Sequence, residues 1–62
     1  MRNIQLGMKL IVKPERCDAY GMSHGAIVEV ARLRFPRGYK TPWVYDHNGY
    51  AYKPSDFAHE VA

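Results

Sequence analysis

The residue types that perform chemistry in enzymes are few in this chain, and they lie far apart. The histidines His24, His47 and His59 lack the close spacing of metal ligands, and Cys17 has no second cysteine with which to form a Cys-x₂-Cys pair. Ser23 directly precedes His24, but neighbouring side chains diverge in an extended chain. No glycine-rich phosphate-binding motif is present. The sequence therefore predicts a protein without catalytic residues, metal or cofactor.

Basic and aromatic residues are instead interleaved through the middle of the chain. Arginine and lysine side chains neutralise phosphates, and exposed aromatic rings stack on unpaired bases. This combination predicts a non-enzymatic binding face for nucleic acid or for an acidic protein surface. In the alternative interpretation, the arginines only solvate an outer strand face and the tryptophan belongs to the core. The candidate binding residues are Arg32, Arg34, Arg37, Tyr39, Lys40, Trp43 and Tyr45.

The net charge also suits a polyanionic partner. The chain of 62 residues carries nine Lys/Arg and six Asp/Glu, which gives a formal net charge of +3. Residues 1–40 hold eight of the nine cations and three of the six acids, so the positive charge is concentrated there. A mild basic excess favours a polyanion as the partner, although small domains also use such charge for solubility.

Length and composition indicate one globular domain over residues 1–62. Hydrophobic residues make up 47% of the chain and charged residues 24%, a balance that argues against disorder. The single cysteine excludes an intrachain disulfide, and no apolar run approaches the roughly 20 residues of a membrane span. Residues 1–7 lack the apolar stretch of a signal peptide. We therefore expect a cytoplasmic protein that contacts no membrane and is a monomer or a weak homodimer.

Glycine and proline residues divide the chain into five predicted strands. β-Branched and aromatic residues dominate these segments, and their order predicts an all-β fold with a long first loop at residues 13–24. Residues 54–57, Pro-Ser-Asp-Phe, predict a short 3-10 turn before the last strand. The predicted strands are Leu6–Val12, Ala26–Phe35, Trp43–Asp46, Tyr50–Lys53 and Ala58–Ala62.

The second and longest predicted strand changes its buried face half way along. Val28 and Val30 indicate that even positions face the core in its first half, whereas Leu33 and Phe35 indicate odd positions in its second half. A bulge or strong bend near Ala31 would reconcile the two patterns, because one extra residue moves the following side chains to the other face. The two arginines of this segment then point to one side, away from the apolar residues between and after them.

Residues 46–49, Asp-His-Asn-Gly, predict a tight turn between the third and fourth strands. A type I turn with Gly49 in the left-handed conformation pairs Val44 with Tyr52, whereas a two-residue Asn-Gly turn pairs Tyr45 with Tyr52. The sequence leaves both registers open.

This order of elements resembles an SH3-like barrel over roughly residues 6–61. The matching features are Gly7 at the first strand, Gly25 before Val28, the Asp-His-Asn-Gly turn and residues 54–57. The last of these is similar to the Pro-Ser-Asn-Tyr corner of signalling SH3 domains and to the Pro-x-x-Leu corner of bacterial SH3-like domains. The resemblance implies a single domain built as a closed, five-stranded barrel.

Proteins with this fold suggest three kinds of function. The KOW type of barrel meets nucleic acid or ribosomal protein through basic loops, and residues 25–30 resemble its Gly-x-Val strand. Signalling SH3 domains bind proline-rich peptides on an aromatic platform. Tyr20 and Trp43 match part of that platform, but Phe57 lacks the hydroxyl of the corner tyrosine. A plasmid-encoded dihydrofolate reductase is a tetramer with a Val-Gln-Ile-Tyr-Pro strand in its pore, and residues 50–54 share the aromatic and the proline but lack the glutamine.

Of these, we expect the first kind of function, in which a basic and aromatic face contacts nucleic acid or a nucleoprotein. The alternative is a protein–protein interaction module. The small size favours an accessory or regulatory protein, of the kind that phages and other mobile elements encode.

Overall fold

The computed structural model describes residues 3–38 and 40–61, and these residues form a mostly β fold. In chain order the elements are β1 (Lys9–Val12), α1 (Pro14–Tyr20), β2 (Ile27–Glu29), β3 (Arg32–Arg34), β4 (Trp43–Tyr45), β5 (Ala51–Tyr52), a 3-10 turn (Pro54–Asp56) and β6 (Phe57–Glu60). The strands make two antiparallel sheets, with the orders β2-β1-β6 and β3-β4-β5. No helix within the described ranges is both long enough and apolar enough to cross a membrane.

The predicted five-stranded closed barrel is wrong in two respects. The described residues contain six strands, because the second predicted strand is divided into β2 and β3. The two sheets also stay separate, since no ladder in the described part of the chain joins an edge of one sheet to an edge of the other. One residue, Lys53, separates β5 from the 3-10 turn, and Pro54 at the start of the turn has no N–H group to donate to a ladder. β5 is therefore short, and it is an edge strand of the second sheet.

Buried apolar side chains from both sheets and from α1 meet in one core. The strands contribute these residues at alternate positions, as expected for sheets with one covered face. The buried members are Met8, Leu10, Val12, Cys17, Val28, Val30, Val44, Tyr52 and Phe57.

The bend predicted in the second strand is present at Val30 and Ala31. The N–H of Val30 donates to the carbonyl of Met8 at 2.8 Å, in line with the first sheet, and the N–H of Ala31 donates to the carbonyl of Tyr45 at 2.9 Å, on the second sheet. The buried face changes at the same point, because Val30 is buried and Leu33 packs against the core after the bend. The same segment thus pairs with both sheets, and its core-facing side chains change from even to odd positions between them.

The long loop predicted at residues 13–24 is wrong, because α1 occupies more than half of it. Pro14 takes the first helical position, where the missing N–H would have no partner in any case. Gly21 ends the helix in the left-handed conformation, with φ of 70°. Cys17 is the buried residue of the helix and packs into the core as a small apolar side chain. A proline that ends the first strand therefore also begins a helix.

A buried carboxylate fastens α1 to the 3-10 turn. Asp56 is 2% exposed, and it accepts hydrogen bonds from Arg16 Nε at 2.9 Å, from the Tyr20 hydroxyl at 2.6 Å and from the Lys53 N–H at 3.0 Å. Burial by itself would raise the pKa of Asp56, but these hydrogen bonds and the charge of Arg16 outweigh it and hold that pKa below its usual value. We refer to Arg16, Tyr20, Lys53 and Asp56 as the Asp56 clamp.

The hairpin between β4 and β5 adopts the first of the two predicted registers, with Val44 opposite Tyr52. Asp46 closes its turn, because Oδ1 accepts two backbone N–H groups of the following residues. Gly49 has φ of 86°, a conformation that residues with a Cβ rarely adopt. The predicted 3-10 turn is also confirmed, at Pro54–Asp56.

Gly49→Val is expected to destabilise the domain through backbone strain. A Cβ at this position would meet no heavy atom within 4 Å, so the cost arises from the positive φ and not from a clash. That strain is worth about 1–3 kcal/mol, and each kcal/mol lowers the melting temperature of a domain of this size by roughly 4–8 °C. Gly49→Asn is the control, because asparagine tolerates the left-handed region. An unchanged melting temperature for the valine variant would mean that this turn is wrongly placed.

Asp56→Asn is expected to lower the free energy of unfolding at pH 7 by roughly 1–3 kcal/mol, because an amide leaves Arg16 without its charged partner. The carboxylate has a lower pKa in the folded state than the value of about 3.9 in an unfolded chain. The stability that it provides is therefore present above that value and is lost as the pH falls through the folded-state pKa.

Urea unfolding of wild type and variant at several pH values measures this effect. The difference between the two proteins should be wide at pH 7 and should narrow progressively below about pH 4. Glu15→Gln is the matched control, since Glu15 is an exposed carboxylate on the same helix. A difference of constant size down to about pH 2 would contradict the role given to the ionised Asp56.

Candidate functional site

The second sheet presents two arginines and two aromatic rings on the face that points away from the core. Arg32 lies opposite Tyr45, and Arg34 lies opposite Trp43, in the ladder between β3 and β4. Val44, between the two rings, is fully buried, so the alternation of a strand turns its neighbours outward. Both arginines are exposed, and both rings are partly buried. Trp43 is therefore not one of the buried core residues, whereas the interpretation that the arginines only solvate this face is not tested by their position.

Two cations lie over the rings of this surface. Arg32 Cζ is 4.6 Å from the centroid of the Tyr45 ring, and Lys53 Nζ is 5.7 Å from the centroid of the Trp43 ring. Such cation–π contacts are worth about 0.5–1 kcal/mol at exposed sites, so a cation can leave its ring for a phosphate at little cost. We refer to Arg32, Arg34, Trp43, Tyr45 and Lys53 as the basic–aromatic face.

The positive charge of this face is not neutralised from within the described residues. No carboxylate there lies within ion-pair distance of Arg32, Arg34 or Lys53. Asp46 follows directly after β4, but its Oδ2 accepts the hydroxyl of the buried Tyr52 at 3.0 Å, on the core side of the sheet. In the described residues, the outward surface thus combines rings with cations that have no ion-pair partner.

Two further predicted cations, Arg37 and Lys40, lie in the loop that joins β3 to β4. Both are exposed, and the loop leaves the sheet at the end of the ladder where Arg34 and Trp43 meet. Tyr39, in the same loop, lies outside the described residues. Of the seven predicted binding residues, four share one face and two lie in the adjoining loop, and their role in binding stays a prediction.

A groove of about 250 Å³ includes part of the basic–aromatic face. Two prolines and the indole ring give it mainly apolar walls, and a lysine is the one ionisable side chain among the described residues that line it. We call it the Trp43 groove. It is lined by Thr41, Pro42, Trp43, Lys53, Pro54 and Ser55.

The sequence pattern did not predict where two residues of this region lie. Phe35 is expected in the core but is 71% exposed, because β3 ends at Arg34 and the chain leaves the sheet at Pro36. The exposed ring of Phe35 directly follows the exposed Arg34 in the chain. Lys53 carries no signal in the sequence as a site residue, since only the register of the hairpin sets it beside Trp43.

Cys17, His24 and His47 each have a hydrogen-bond partner in the structure. The Cys17 thiol is fully buried and donates to the carbonyl of Val12 at 3.6 Å. His24 and His47 are exposed, and each pairs with one carboxylate, at 2.8 Å and 2.9 Å. Within the same residues, no three His, Cys, Asp or Glu side chains form a group that could hold a metal ion.

A second hollow, of about 530 Å³, lies between the end of α1 and the β4–β5 hairpin. Two of its hydroxyls and its carboxylate, Asp46, are already engaged. The Tyr20 hydroxyl belongs to the Asp56 clamp, and the Tyr52 hydroxyl donates to Asp46. Burial and the hydrogen bond to this carboxylate raise the pKa of Tyr52 to about 12, so the phenol stays a donor to Asp46 at neutral pH. This hollow offers a ligand fewer free charges than the basic–aromatic face.

Comparisons of the chain with protein-family models, with curated proteins and with solved structures find no match. The SH3-like resemblance therefore stays a prediction. The function has to be inferred from the surface of the molecule.

Proposed function

We propose that this chain is a non-enzymatic binding module that holds nucleic acid on its basic–aromatic face. The observation that carries the proposal is the register between β3 and β4, which sets two arginines opposite two rings on one outward surface. Cationic side chains attract the phosphate backbone without regard to sequence, and the rings supply contact area for bases or sugars.

The number of cations sets the expected strength of binding. Arg32, Arg34, Arg37, Lys40 and Lys53 make up five of the nine Lys/Arg in the chain. If three to five of them contact phosphates, the logarithm of the affinity for a single strand falls with the logarithm of salt concentration at a slope of about −2 to −3.5. Dissociation constants in the range of about 10⁻⁴–10⁻⁶ M are typical of such binding at physiological salt.

An acidic protein surface is the alternative partner. The salt dependence of binding distinguishes it from nucleic acid. A protein would be held mainly by buried anchors at the centre of the interface, so its binding would weaken less steeply with salt. Recognition of proline-rich peptides in the SH3 manner has less support. Phe57 is 3% exposed and belongs to the core, and the Tyr20 hydroxyl is bound to Asp56.

Removal of two cations beside the rings is expected to weaken nucleic-acid binding. Arg34→Ala combined with Arg37→Ala should lower the affinity about tenfold at low salt, since each lost phosphate contact is worth up to about 1 kcal/mol. The same variant should make the salt slope shallower by about 1.4 on single strands and 1.8 on duplex DNA. Fluorescence anisotropy with labelled single-stranded and double-stranded probes measures both quantities.

The matched control removes two lysines elsewhere, Lys9→Ala combined with Lys13→Ala. Lys9 lies in β1 of the first sheet, and Lys13 follows that strand, so the net charge falls equally while the basic–aromatic face is kept. This control should bind nearly as tightly as wild type. Equal losses for the two variants would show that binding depends on net charge only. No binding of either probe at low salt would eliminate the proposed function.

A further inference from the structure

We infer that the Trp43 groove takes one unpaired nucleobase, so that the ligand of the basic–aromatic face is single-stranded nucleic acid. The inference rests on the proposed function and adds the class of nucleic acid. It concerns one ring and its surroundings, whereas the proposed function concerns the charge of the whole face.

The shape of the groove suits a flat, mainly apolar group. The indole of Trp43 forms one wall, and Pro42 and Pro54 supply aliphatic surface around it. The volume of about 250 Å³ is smaller than the roughly 300–1,000 Å³ of pockets for drug-sized ligands, so the groove fits one ring system. Stacking on an aromatic ring is open to every base, since each has a π face.

The charges around the groove suit the phosphates on either side of a base. Lys53 lines the groove, and its ammonium lies over the Trp43 ring at 5.7 Å from the centroid. Arg34 is the cross-strand neighbour of Trp43 in the ladder. A base that replaces the ammonium on the ring therefore leaves Lys53 free to meet its phosphate, while Arg34 lies within reach of the next one.

A duplex cannot use this site in the same way. Its bases are stacked on each other and paired, so a ring on the protein surface meets only phosphates and groove edges. Trp43 is also only partly exposed, because the prolines stand beside it. A base has to leave its own stack to reach the indole, and this costs least in a single strand.

A peptide is a less suitable occupant of the same groove. Binding of a polyproline helix needs a platform of several neighbouring rings. Among the described residues that line it, the groove offers two prolines beside Trp43 and no second aromatic side chain. Its ionisable side chain is a cation, which favours phosphate over the basic residues that accompany many proline-rich ligands.

Trp43 is the only tryptophan in the chain, so intrinsic fluorescence reports directly on this groove. The experiment compares three probes of one length, about 12 nucleotides, within the usual site sizes of about 4–16. They are a mixed-sequence DNA single strand, the duplex of that sequence and a strand of the same length without bases. Anisotropy of labelled probes gives the affinities, and unlabelled probes give the change in Trp43 emission.

The inference predicts that the single strand binds about 5- to 150-fold more tightly than the abasic strand, the range expected when one base stacks. It also predicts that the single strand quenches Trp43 and that the duplex does not. Equal affinities for all three probes without quenching would overturn the base site and leave the proposed function standing. No binding of any probe would overturn both. Quenching by an acidic proline-rich peptide, and not by the single strand, would assign the groove to a peptide.

Two variants separate stacking from charge. Trp43→Leu should remove the preference for the single strand over the abasic strand and leave the salt slope unchanged. Tyr50→Leu is the matched control, because Tyr50 is a 66% exposed ring on the hairpin that does not line the Trp43 groove. It should keep the preference. Loss of the preference in the control as well would contradict the assignment to Trp43, and the fluorescence comparison on wild type decides the matter even if Trp43→Leu fails to fold.

Discussion

The change of sheet at Val30 and Ala31 is the constraint on which the rest of the structure depends. Backbone hydrogen bonds tie Val30 to the first sheet and Ala31 to the second, so the side chains turn over between them. Val30 is buried before the bend, and Leu33 packs inward after it, which forces the arginines on either side of Leu33 outward. Without the bend, the hydrophobic pattern of this segment could not serve two sheets at once, and the arginines would lose their common face.

The Asp56 clamp connects the fold to the binding surface. The carboxylate of Asp56 accepts the N–H of Lys53 and so helps to set the entrance to the 3-10 turn, where Pro54 follows. Lys53 and Pro54 are also two of the residues that line the groove beside Trp43. Arg16 binds the same carboxylate from α1, so the helix and the groove share one buried anchor. A domain this small buries only about 60% of the surface that its unfolded chain exposes, and such an anchor compensates for a limited core.

Local chemistry in the sequence predicted the bend, the hairpin turn and the 3-10 turn, because each depends on a few adjacent residues. It left two registers open for the hairpin, and the structure has the one that pairs Val44 with Tyr52. The turn that ends at Gly49 needs only one positive φ and one aspartate, and both are visible in the sequence. The helix after β1 was not predictable in this way, since Pro14 both ends a strand and starts a helix. Lys53 was missed as part of the site and Phe35 was wrongly expected in the core, because their neighbours and exposure depend on where strands end and how they pair. Whether the edges of the two sheets join into a closed barrel likewise depends on contacts between distant parts of the chain.

The central claim is that the outward face of the second sheet is where a nucleic acid binds. Titration of ¹⁵N-labelled protein with a single-stranded oligonucleotide tests it most directly, because each backbone amide and the Trp43 indole N–H reports separately. We expect the largest shifts at the Trp43 indole and at the amides of Arg32, Arg34 and Lys53, with little change in β1. Shifts centred on the hollow beside Tyr20, or a spectrum that does not change, would contradict it.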